Sequence, residues 1–64
     1  MSSVPTRAEI GHGDTVMVIR KIDQATGNLT KGVVKKHLTT SASHPHGIKV
    51  MLESGIVGRV QKVI

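Results

Sequence analysis

The sequence predicts an all-β fold, a small barrel of four to five short antiparallel strands. Three observations lead there. The apolar 38% of the 64 residues is drawn from Val, Ile, Leu, Met and Ala, with no Phe, Tyr or Trp, a composition that suits strands. The apolar runs are short, are separated by clusters of Gly, Thr, Asn, Asp and Ser, and sustain no helical period. So short a chain also cannot cover an open sheet, and closing the sheet on itself removes its exposed edges.

Residues 1–11, with Ser2, Ser3, Pro5 and Gly11 among scattered charges, read as a flexible, disordered N-terminal arm, and residues 12–64 as the barrel domain. The run DTVMVIRKI from Asp14 to Ile22 is of strand length. Its four successive apolar residues, Val16 to Ile19, suit a strand covered on both faces or one coiled tightly within a barrel. DQATGN at 23–28 supplies turn formers for a hairpin loop, with Gly27 at positive φ. In LTKGVVKKHL, strict alternation from Val34 would bury Lys36 beside Leu38, so a bulge or one wet face is expected.

TTSASHPHG at 39–47 is the longest polar connection and the expected mobile loop. GIKVML alternates cleanly, with Ile48, Val50 and Leu52 on one face and Lys49, Met51 and Glu53 on the other. Glu53-Ser54-Gly55 is a tight turn, and IVGRVQKVI is the last strand, with Gly58 marking a bend or a close backbone approach. This order of elements fits an SH3-like barrel. Gly13-Asp14 ahead of Val16 to Ile19, and later Gly32-x-Val34, also resemble the KOW type of barrel found in ribosomal and transcription proteins.

Charge narrows the partners. Nine Lys and Arg against four Asp and Glu give a formal +5, and polyanions are the natural ligands of such a surface. No Cys is present, so disulfides and Cys-based metal sites are excluded. A domain of this size has no room for an enclosed active-site cavity, and neither a cofactor nor a small-molecule substrate is expected. The start MSSVPTRAEI has no apolar leader stretch and no run nears the roughly 18 apolar residues of a membrane span, so a cytoplasmic protein without a membrane partner is expected.

His44-Pro45-His46 is the sharpest local feature. Pro45 fixes its own φ and drives His44 toward an extended backbone, which can set both imidazoles on one side of the loop. Two histidines begin a metal site but do not complete one, and His12 and His37 stand at no recognisable ligand spacing, so no metal is expected. The imidazoles instead suit loop-holding hydrogen bonds or an anion contact that gains a proton near phosphate. The scattered carboxylates Glu9, Asp14, Asp23 and Glu53 give no acid–base pair, no Ser or Thr stands at a telling spacing from a histidine, and phosphate-loop motifs are absent. No catalytic residue is assigned, and a non-enzyme is expected.

KIDQATGNLTKGVVKKHLT followed by SHPHGIKVMLESGIVGRVQKVI resembles the YwbE-like family of small uncharacterised bacterial proteins. That family's pattern is lysine, Asp-Gln, Thr-Gly, Leu-Thr, Gly-Val-Val, Leu-Thr, His-Pro-His-Gly-Ile-Lys-Val and Gly-Arg-Val. The resemblance spans Ile10 to Val63 and places the pattern on Asp23, Gln24, Thr26, Gly27, Leu29, Thr30, Gly32, His44, Pro45, His46, Gly47, Lys49, Gly58 and Arg59. It implies membership without implying an activity. Asn28 and Met51 stand where relatives carry basic residues, which thins any charged stripe.

Together these features predict a nucleic-acid-binding module, with Lys31, Lys35, His44, His46, Lys49 and Arg59 as its contact residues. Lacking aromatic side chains on which bases could stack, the chain is expected to bind structured RNA, ribosomal RNA among the candidates, through its phosphates, with strong salt dependence. The competing expectation is a protein-interaction module or structural appendage that docks an acidic protein surface, one route being an added strand on an exposed sheet edge.

Overall fold

The computed structural model describes residues 4–64; residues 1–3, part of the expected arm, lie outside the described residues. Four strands form the sheet: β1 Thr15–Ile19, β2 Thr30–His37, β3 Lys49–Leu52 and β4 Val57–Val63. All neighbours are antiparallel, and β4 returns to β1, so the barrel is closed and every strand is paired on both sides. The fold is the small SH3-like barrel expected from the sequence, with four strands. Among the described residues, no helix is long and apolar enough to cross a membrane.

β2 and β4 each serve two neighbours. The first half of β2 pairs with β1, with Thr15 opposite Val33 and Val18 opposite Thr30, while its second half pairs with β3, with Val34 opposite Leu52 and His37 opposite Val50. The changeover is a bulge between Val34 and Lys36. Because Lys35 is the extra residue, Lys35 and Lys36 both face solvent and the half-buried His37 takes the inner register that strict alternation would give to Lys36. Leu38 follows out of phase and stays 38% exposed, so it is no part of the core. A matching bulge at Gln61 lets β4 keep Val60 opposite Val18 and Lys62 opposite Met17.

The core comprises Ile10, Val16, Val18, Val34, Ile48, Val50, Leu52 and Val60, with Ile56 and Val63 packed against it. Each such side chain contributes about 1.5–3 kcal/mol relative to being left in water. Ile48, Val50 and Leu52 face inward and Lys49, Met51 and Glu53 do not, as the alternation predicts. The first apolar run departs from expectation at its end. After Ile19 the chain turns through a 3-10 segment, Lys21–Asp23, closed by an Arg20–Asp23 ion pair of 2.9 Å, and this leaves Ile22 77% exposed.

The stretch ahead of residue 12 contributes to the barrel. The Arg7 amide donates to the Ala42 carbonyl at 2.8 Å, Arg7–Glu9 form one 3-10 turn, and Ile10 is buried. His37 holds this segment in place: a carbonyl can only accept, so the 2.6 Å contact is the His37 Nε2–H donating to the Ile10 oxygen. The glycines on β2 and β4 sit where strands cross closely. A Cβ on Gly58 would lie 2.8 Å from Val18 Cγ2 and 2.9 Å from the Ile19 carbonyl oxygen, the close approach anticipated there.

Candidate functional site

The His44-Pro45-His46-Gly47 segment is a single hydrogen-bonded turn. The Gly47 amide donates to the His44 carbonyl at 3.0 Å, and among the described residues no non-glycine has positive φ, which makes it a type I turn with Pro45 at its favoured second position. The His46 amide donates to His44 Nδ1 at 3.1 Å. A ring nitrogen that accepts carries no proton, so neutral His44 bears its hydrogen on Nε2 and can offer it as a donor.

Strand β4 pins the turn from below. Arg59 Nη1 donates to the Gly47 carbonyl at 2.9 Å, and Gln61 Nε2 donates to the His46 carbonyl at 2.9 Å and to the Arg59 carbonyl at 3.3 Å. Gly47 itself, at φ 103°, is buried with its backbone against the Val60 carbonyl. The loop predicted as mobile thus ends in a rigid corner.

Between this corner and β1 lies a cleft of about 430 Å³, lined by Ile19, Gln24, His44, Pro45, His46, Arg59 and Gln61. A second hollow of about 330 Å³ shares Ile19, Gln24 and Arg59 and adds Lys21 and Lys49. Arg59 therefore stands between an imidazole-lined hollow and a lysine-lined one. Register accounts for this: Lys49 on β3 is opposite Arg59 on β4, which is opposite Ile19 on β1, so the three form one outward row across neighbouring strands.

Of the predicted contact residues, His44, His46, Lys49 and Arg59 meet here. Lys31 and Lys35 do not line either hollow. Lys31 lies opposite Met17, which is opposite Lys62, so it belongs to a second outward row with a different lysine partner. Lys35 is the bulged residue beside β3. Gln24, Gln61 and Lys21, which also line these hollows, are not among the predicted contact residues. Gln61 had a faint signal, two residues beyond Arg59 on an alternating strand; Gln24 and Lys21 sit on a turn whose fold-back no periodicity announces.

The acids are all engaged elsewhere or remote. Asp14 accepts from the Gly11 amide at 2.8 Å, Asp23 pairs with Arg20, Glu9 accepts from the Thr6 amide at 2.8 Å and hydroxyl at 3.1 Å, and Glu53 lies in the β3–β4 turn. The Thr6 amide bond first, then the hydroxyl bond, hold Glu9 below the ordinary carboxylate range. Among the described residues the Arg20–Asp23 pair is the one ion pair, so Lys49 and Arg59 face solvent without a carboxylate.

Partial desolvation first, then the Arg59 guanidinium and His46, hold His44 below the usual imidazole range. The rings of His44 and His46 lie 5.7 Å apart, and those of His12 and His37 4.9 Å apart in an edge-on pair. Among the described residues, no three His, Cys, Asp or Glu side chains gather where they could hold a metal ion. The chemistry this surface offers is that of several fixed donors and cations converging on a shallow cleft with no opposing anion.

A family model described as an uncharacterized conserved protein (DUF2196) matches residues 3–63. The "Uncharacterized protein YwbE" of Bacillus subtilis (strain 168) is 52% identical over 58 residues, which cover 91% of this chain and 89% of that protein. No solved structure matches.

Proposed function

From the premise that the chain belongs to the DUF2196 family, we propose that it is a binding protein and not an enzyme, and that it holds structured RNA, for example ribosomal RNA, by its phosphates. The observation that carries this reading is the carboxylate-free convergence of Arg59, Lys49, His44 and His46 at one end of β3 and β4. Cations unpaired by the protein release condensed counterions when they meet phosphates, which is the main source of affinity for a helix backbone.

Amide NMR of labelled protein with a folded RNA duplex at low salt tests the proposal. Shifts at residues 44–49, 59 and 61 that reverse at high salt are expected. Lys49→Gln, which removes a cation that makes no side-chain hydrogen bond among the described residues, is expected to weaken binding and lower the log–log salt slope by about 1. Amides that stay unmoved at high RNA concentration overturn the proposal and favour an acidic protein as the partner.

Acid should strengthen the complex. In the free protein partial desolvation first, then the neighbouring Arg59 on β4 and His46 within the turn, depress the His44 pKa. A bound phosphate offsets the neighbouring positive charge and raises that pKa, so binding takes up a proton, which goes to Nδ1 and replaces the bond from the His46 amide. Affinity is then greatest below the free-state value and is lost as pH rises through the value in the complex. Measured across about pH 5 to 8, affinity is expected to fall several-fold, and His44→Gln to flatten the profile; an unchanged slope in that variant assigns the proton elsewhere.

A further inference from the structure

We infer that the cleft between the His44–Gly47 turn and β4 receives one unpaired nucleotide of the folded RNA; this rests on the phosphate-binding reading above and adds to it a site for a base. A surface that only tracks phosphates needs cations. This cleft has in addition two neutral amide side chains and two apolar ones.

The hydrogen bonds already made decide what each group has left to give. Gln61 spends its amide nitrogen on the carbonyls of His46 and Arg59, so its Oε1 is fixed in place as a free acceptor. The Gln24 side chain has no hydrogen bond to the described residues and brings both a donor and an acceptor to the same cleft. Arg59 commits Nη1 to Gly47 and keeps its other N–H groups for an anion, beside the Nε2–H of His44. Ile19 and Pro45 supply apolar wall.

This set fits a nucleotide: phosphate on Arg59 and His44, the base face on Ile19 and Pro45, the base edge on the two glutamine amides. A base within a duplex has its Watson–Crick edge occupied and stacked away, and only an unpaired one can turn that edge to the protein. At about 430 Å³ the cleft is of the size of small-ligand sites. The lysine-lined hollow across Arg59 then lies where the next phosphate of the same strand passes.

Two RNA hairpins of identical stem, one fully paired and one carrying a single bulged nucleotide, discriminate. With a dye on the RNA, anisotropy titration is expected to give about tenfold tighter binding of the bulged hairpin. Gln24→Ala, a change at an exposed side chain with no hydrogen bond among the described residues, is expected to lose about fivefold on the bulged hairpin and nothing on the paired one. Equal affinity of the native protein for both hairpins, or an equal loss on both in the variant, overturns the nucleotide site and leaves the phosphate reading standing. Failure of both hairpins to bind overturns both.

Discussion

Gly47→Ala is expected to cost about 3 kcal/mol or more, enough to leave much of the protein unfolded. Two effects add. At φ 103° an L side chain is strained, at about 1–3 kcal/mol, and a Cβ there would collide with the Val60 carbonyl oxygen and stand 3.0 Å from Gln61 Nε2. Neither neighbour yields freely, because Val60 also donates its amide to Ile48 at 2.8 Å and Gln61 anchors the turn. A barrel of this size rarely holds more than about 3–5 kcal/mol in reserve. Gly27→Ala is the control: φ is 78°, nothing lies within 4 Å of the added methyl, and only the conformational part applies. Urea unfolding followed by far-ultraviolet circular dichroism compares the two. Equal midpoints would show that the corner gives way and that Gly47 is not a rigid contact.

Leu52→Ala is expected to lower stability by about 2–5 kcal/mol. Leu52 is fully buried opposite Val34, in a core without a single ring to swing into the space it leaves. At roughly 4–8 °C per kcal/mol for a domain of this size, the melting temperature should drop by about 10 °C or more. Gly32→Ala on the same background offers a second reading. A Cβ at Gly32 points into Leu52 Cδ1 in the native protein, so in the truncated core that methyl enters vacated space, and the double variant is expected to recover part of the loss. No recovery would mean that the cavity had already collapsed.

How much of this was legible beforehand depended on how far each feature reaches along the chain. GIKVML disclosed its inner and outer faces because alternation is a local property. The conflict at Lys36 announced a bulge for the same reason. Ile22, read into the first strand, misled because it lies just past a change of phase, the 3-10 turn, much as the Lys35 bulge leaves Leu38 outside the core. Ile10, isolated among polar residues, gave no sign of its core position; its place is fixed by a hydrogen bond to His37, 27 residues on. The site shows the same division. The stiff His-Pro-His-Gly corner and the Lys49–Arg59 pairing follow from Pro45 and from a short hairpin. That Lys31 and Lys35 fall elsewhere, and that Gln24 folds back beside Gln61, are matters of cross-barrel register that one sequence does not print.

The pairing of β4 with β1 has a kinetic consequence. Val63 meets Val16 and the Ile64 amide reaches the Thr15 carbonyl, so the ladder that seals the barrel joins the two ends of the strand order. Until β4 arrives, β1 lacks one neighbour and Val16 and Val18 have no Val60 or Val63 beside them. Three of the four ladders join strands adjacent in sequence, whereas the β1–β4 ladder forms only when the long loop between the first and last strands closes, so this closure is the topology-limited step. A chain emerging from the ribosome would remain open-edged through three strands and become resistant to proteases only once the fourth had cleared the exit.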